Sequence, residues 1–240
     1  FGEEAVERRK KSFLGRLANL FEILLAAVAG FILVPTLFAL MGIQPQNILT
    51  NTKLFFLLLV VESSVTLLII WGLLKLRGQS LTYLKWARGS LMRELSVGLA
   101  SVPFLFAATA SVSVVFQSFF PQFVTEKNPL LELIQDETDL ILMALSSLFV
   151  GGFKEEIQRA FVLMRFSENL GGAVVGLILW SAFFGFGHTI QGIDNAVGAG
   201  VLGLIFGILF LWRKSLTAPM VGHALYNIIT VLIYWKFYVI

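Results

Sequence analysis

Six polar residues stand out because the chain around them is apolar: Glu155, Glu156 and Arg159 in "GFKEEIQRAF", His188 in "FFGFGH", and His223 with Asn227 in "GHALYN". Breaking a peptide bond with water needs a base that activates the water and donors that stabilise the oxyanion. A positioned carboxylate is a general base; Glu155 is the candidate, with His188 holding the same water. His223 and Asn227 are four residues apart and share a helix face. They could donate to a tetrahedral oxyanion, where losing one donor costs about a hundredfold or more. Phe184 and His188 share a face by the same spacing. Glu155 and Arg159 are also four apart, which predicts a salt bridge between them. Glu155 and Glu156 project about 100° apart, so one of the two faces a common cavity; Glu156 remains the competing base. A metal is the rival chemistry. Glu155, His188 and His223 could form a three-ligand zinc site with an open water position. The compact His-Glu-x-x-His helix of zinc peptidases is missing, and metal-free catalysis is the favoured expectation.

Each residue also has a plainer reading. A lone buried histidine is more often a hydrogen-bonded structural residue, a Glu pair near a helix end is usually solvated, and Asn227 could simply bond a neighbouring helix. Against this stands the desolvation cost of every one of these groups in an apolar span. All of them fall in the second half of the chain, on separate spans. Glu62, beside Ser63 and Ser64, is a further buried acid, either an interhelical anchor or a residue on a substrate path.

The elements that must position these residues are membrane helices. The chain is 57% hydrophobic and 14% charged, with a mean hydropathy of +0.84; soluble domains carry about a quarter charged residues. Cysteine is absent, so disulfides and thiolate chemistry are excluded. The net charge of +3 comes without a dense basic stripe, which argues against nucleic acid as a partner. A bilayer core of about 30 Å needs roughly 20 apolar residues in a helix. Such runs are expected over 21–43, 54–74, 95–120, from about 140, then 171–187, 196–212 and from 216 on. The fold class is therefore all-α: a polytopic integral membrane bundle of about seven to eight transmembrane helices around an intramembrane catalytic cavity, forming a single membrane domain over 1–240. Residues 1–20 read as a cytoplasmic basic segment, and "LTYLKWARGSLMREL" as a stretch along the interface. "VERRKK" and the basic residues after spans 2, 4 and 6 share one side if seven helices alternate. The positive-inside rule then predicts a cytoplasmic N-terminus. Straight helices would leave His188 and His223 at different depths, so convergence requires a tilted or broken helix, for which "GGF" at 151–153 is the candidate.

In order along the chain, "EEIQR" (155–159), "FGFGH" (184–188) and "HALYN" (223–227) resemble the motifs of the CAAX-protease and bacteriocin-processing family of intramembrane peptidases, which includes the Ras-converting CAAX prenyl endopeptidases. The resemblance covers residues 138–235, the expected catalytic core. It implies the same division of roles among Glu155, His188, His223 and Asn227, with Glu156 and Arg159 orienting the site. It also implies a peptide or lipidated protein as substrate, of prenylated CAAX type in a eukaryotic setting. The family spaces its second Glu and Arg by three residues, where Ile157 and Gln158 alone intervene here. If the Glu pair sets the register, Glu155 takes the catalytic position; if Arg159 sets it, Lys154 does. Two other classes stay open: a non-catalytic membrane scaffold or bacteriocin-immunity protein, and a proton-coupled transporter relaying through Glu62, Glu155 and the histidines.

Overall fold

The computed structural model describes residues 12–86 and 90–240. Long helices alternate in direction: α1 (Phe13–Leu40), α2 (Thr52–Leu76) and α3 (Leu91–Phe119), then α4 (Glu137–Ser146) running through a π-helix (Ser147–Glu155) into α5 (Glu156–Asn169), followed by α6 (Ala173–Gly187), α7 (Ile193–Arg213) and α8 (Thr217–Tyr234). The apolar runs fix their lengths, and polar caps fix their starts. Ser12 Oγ accepts from the Gly15 amide at 3.0 Å, Asn51 Oδ1 from Leu54 at 3.1 Å and Asp136 Oδ1 from Asp139 at 2.8 Å, each satisfying an orphan amide of a first turn. Five of these helices are long and apolar enough to cross a membrane, and α6 is a shorter apolar helix. The protein is an all-α membrane bundle, and no strand occurs among the described residues.

Of the expected basic segment 1–20, residues 1–11 lie outside the described residues, and Phe13–Leu20 form the first turns of α1. The stretch expected along the interface includes a short turn and the start of α3. Leu81–Leu84 is a single 3-10 turn ended by Lys85 at φ 60°, residues 87–89 lie outside the described residues, and α3 starts at Leu91. Leu84 is fully buried beneath α5 and α8 with Phe161 and Leu216 and draws this segment into the bundle.

Hydrogen bonds and ion pairs gather the helix ends into two groups. At one end, Glu22 of α1 meets Arg77 and Arg165 at 2.7 Å each. Glu168 meets the same two arginines at 3.1 Å and accepts from Tyr83 Oη at 2.6 Å. Asn19 donates to the carbonyl of Arg165 at 3.2 Å, Glu94 pairs with Arg213 at 2.6 Å, and Lys85 O accepts from Leu216 N. Burial pushes the Tyr83 phenol up, so it stays a donor. At the opposite end, Thr125 donates to Asp194 at 2.7 Å, Asn128 to Gln191 at 3.1 Å, and Thr52 to Leu133 O at 2.6 Å.

Lipid is as apolar as leucine, so close packing and polar contacts must hold such helices together. Gly185 of α6 lies so near α7 that a Cβ there would sit 2.7 Å from Ala196 O. Gly200 and Gly203 of α7 face Ser181 of α6 at similarly close range.

Candidate active site

The continuous segment from α4 to α5 changes helix type where the acidic pair begins. A π-helix widens the turn and commonly marks a functional position; here it spans "SLFVGGFKE", so the break expected at Gly151–Phe153 is this widened segment. Glycine at 151 is required by α8. A Cβ at this position would fall 2.5 Å from Asn227 Nδ2 and 3.2 Å from His223 Nε2, so only glycine lets the two side chains reach this surface.

Around that contact the acidic pair divides. Glu156, 1% exposed, accepts from His223 Nδ1 at 2.7 Å and is also bound by Arg159. Glu155, on the more open side, places a carboxylate oxygen 3.6 Å from His223 Nε2. The salt bridge expected between Glu155 and Arg159 is thus made by Glu156 instead, three residues from the arginine. The cause is packing: the fully buried guanidinium sits over Phe184 at 5.0 Å and Phe206 at 5.5 Å, where cation–π attraction holds it beneath His223. Phe206 in turn stacks on the His223 ring at 4.4 Å. His223 is therefore fixed at one nitrogen and on one face, with Nε2 toward Glu155.

His188 caps the C-terminus of α6 and hydrogen-bonds through Nδ1 to the Phe184 carbonyl at 2.7 Å, leaving Nε2 directed elsewhere. The Phe184 ring lies 4.4 Å from His188 and 6.3 Å from His223, linking the two histidines. Glu155, His188, His223 and Asn227 all line one cavity of about 980 Å³, with Glu62 and Lys154 among its other polar residues. Among the described residues, no group of three or more His, Cys, Asp or Glu side chains is placed to hold a metal ion.

Three contacts at the site were not legible beforehand. Lys154, next to the acidic pair, turns away to Glu62 Oε2 at 3.0 Å, and Thr66 donates to Glu62 Oε1 at 3.1 Å. Glu62 thus anchors α2 to the π-helix, the interhelical role among its two readings, and also lines the cavity. Gln158 donates to Ala26 O at 2.6 Å, tying α1 beneath the site. Phe206, one more aromatic in an apolar span, carried no sequence signal; the adjacency of Lys154 to two acids did, had the acid on α2 been paired with it.

No curated protein and no solved structure matches the chain. Residues 137–229 match the family described as type II CAAX prenyl endopeptidase Rce1-like. That stretch begins with α4 and ends just beyond Asn227, and so contains Glu155, His188 and His223 together with the helices that hold them. The segment that carries the site is thus similar to the Rce1-like type II CAAX prenyl endopeptidases over those residues.

Proposed function

We propose that the chain is an intramembrane endopeptidase that hydrolyses a membrane-attached or lipidated peptide, with Glu155 as general base. One observation carries this reading: His223, locked by Glu156 at Nδ1, turns Nε2 to a second carboxylate, Glu155, at the wall of a cavity large enough for a peptide segment. The scissile carbonyl lies beside Glu155 and His223. Glu155 takes a proton from a water that His188 helps to hold, and the water oxygen bonds to the carbonyl carbon. His223, through Nε2, and Asn227 donate to the oxyanion. When the C–N bond breaks, the proton on Glu155 passes to the leaving nitrogen, giving a free carboxylate and a free amine. Glu156 and Arg159 act through His223 as positioning residues. The apolar lining from Phe31, Pro35 and Phe183 suits an alkyl or prenyl chain on the substrate.

The test is cleavage of a fluorogenic farnesylated peptide by detergent-purified protein, beside Glu155→Gln, Glu156→Gln and His188→Ala, each with and without a chelator. Loss of turnover in Glu155→Gln and His188→Ala with no effect of chelator supports the glutamate mechanism. Loss on chelation would replace it with a metal-dependent one, and an inactive but folded wild type would return the scaffold reading.

A further inference from the structure

The two ends of the bundle differ in charge. The end clamped through Glu22, Arg165 and Glu168 carries Lys75, Arg77, Lys85, Arg93, Arg213 and Lys214 on or beside its connectors. The opposite end carries Glu126, Asp136, Glu137, Asp139 and Asp194 against Lys53 and Lys236, with Glu132 paired to Lys127. Short connectors rich in Lys and Arg stay on the cytoplasmic side of a membrane.

The cavity is as asymmetric as the charge. Its lining includes Gln158 and Trp180 but none of the helix-end residues of the basic end. Phe161 and Leu163 of α5, Leu84 and Leu216 are fully buried there, at 1% exposure or less. The Glu22–Arg165 and Glu168–Arg77 pairs lie behind them. From Glu155 the cavity runs the other way. Past Thr109 and His188 it reaches Asn128, Gln191, Asp194 and Asn195, the polar groups of the acidic end.

We propose that the site opens to the non-cytoplasmic face of its membrane, so that the substrate is a lipid-anchored or membrane-attached peptide presented on that face after export, and not a cytoplasmic tail. The word "substrate" rests on the peptidase reading above; the sidedness does not. A peptide reaching Glu155 from the acidic end passes Gln191 and Asn128, whose amides offer backbone-like hydrogen bonds. From the basic end, Phe161, Leu163, Leu84 and Leu216 are buried instead of lining the cavity.

The absence of native cysteine makes the test direct. Three single-cysteine variants of the full chain are made: Gln191→Cys at the mouth, Thr109→Cys on the cavity wall and Lys85→Cys at the basic end. Each is expressed in a bacterial inner membrane and exposed to a sulfonated, membrane-impermeant maleimide, in spheroplasts and in inside-out vesicles. The expected result is modification of Gln191→Cys and Thr109→Cys in spheroplasts, and of Lys85→Cys in inside-out vesicles alone. Lys85→Cys reacting in spheroplasts, or Thr109→Cys reacting in inside-out vesicles alone, would overturn the proposal. Labelling reads access and not turnover. The expected pattern in a protein that cleaves no peptide would uphold the sidedness and reject the peptidase reading.

Discussion

Glu156 Oε1 lies 2.7 Å from Nδ1 of His223, while Glu155 Oε2 lies 3.6 Å from Nε2 of the same ring. Adjacent carboxylates thus bracket one imidazole from two sides. The buried one is committed to the ring and to Arg159, and the one on the cavity wall is available to water. Glu155→Gln is expected to lower peptide cleavage by about 10²–10⁴-fold, the contribution of a general base, with little change in melting temperature. Glu156→Gln should lower stability as well, because it leaves a buried guanidinium without its charge partner, at about 3–5 kcal/mol. Initial rates and thermal unfolding of the two variants in the same detergent check this; a Glu156→Gln protein as stable as the wild type would contradict it.

Gly151 and Gly152 face α8 side by side but meet different atoms. A methyl at 151 would strike Asn227 and His223, whereas one at 152 would strike Ala224 Cβ at 2.7 Å. Gly151→Ala is expected to reduce kcat on the order of a hundredfold, as displacement of reacting groups by about 1 Å does. Gly152→Ala should chiefly lower the unfolding temperature by prising the helices apart. Steady-state kinetics and melting curves on both variants separate the two effects.

Lys154 and Glu62 form a nearly dry ion pair, with side chains 10% and 12% exposed. Removing one partner strands the other, so Lys154→Met and Glu62→Gln should each destabilise by about 3–5 kcal/mol. The double variant should recover part of the loss, with a coupling of about 0.5–3 kcal/mol in a double-mutant cycle. Additive losses would mean that the pair is not the interaction that matters.

The Tyr83 phenol, raised by burial, keeps its proton in the folded state at a pH where an unfolded tyrosine, with its pKa of about 10, begins to lose it. The folded state then binds more protons, so stability from this group is fully present below about pH 10 and declines as pH rises further. Tyr83→Phe should lower stability near neutrality by about 1–3 kcal/mol through the lost bond to Glu168. It should also flatten the alkaline decline. Melting temperature against pH for both proteins checks the sign.

The membrane helices were legible because apolar length alone specifies them: the runs at 54–74 and 196–212 lie within α2 and α7. The four-residue spacings located the polar groups but not all their partners. Arg159 was expected on Glu155 and binds Glu156, since the choice depends on Phe184 and Phe206, which no local pattern couples to an arginine. Lys154 and Glu62 are 92 residues apart and meet only once α2 packs against the π-helix. The buried cluster of Asn19, Glu22, Arg77, Arg165 and Glu168 has the same origin: its members look like ordinary helix-end polar residues until three segments converge.

The widened turn before Glu155 also changes how distance along this motif is to be counted. One extra residue in a helical turn rotates everything after it by about 100°, so Glu155, Glu156 and Arg159 turn together relative to α4. The two-residue gap before Arg159 falls beyond that turn, inside α5, where Glu156 and Arg159, three residues apart, meet directly. Between chains of this kind, the pairing of side chains across helices is a safer correspondence than the number of letters between them.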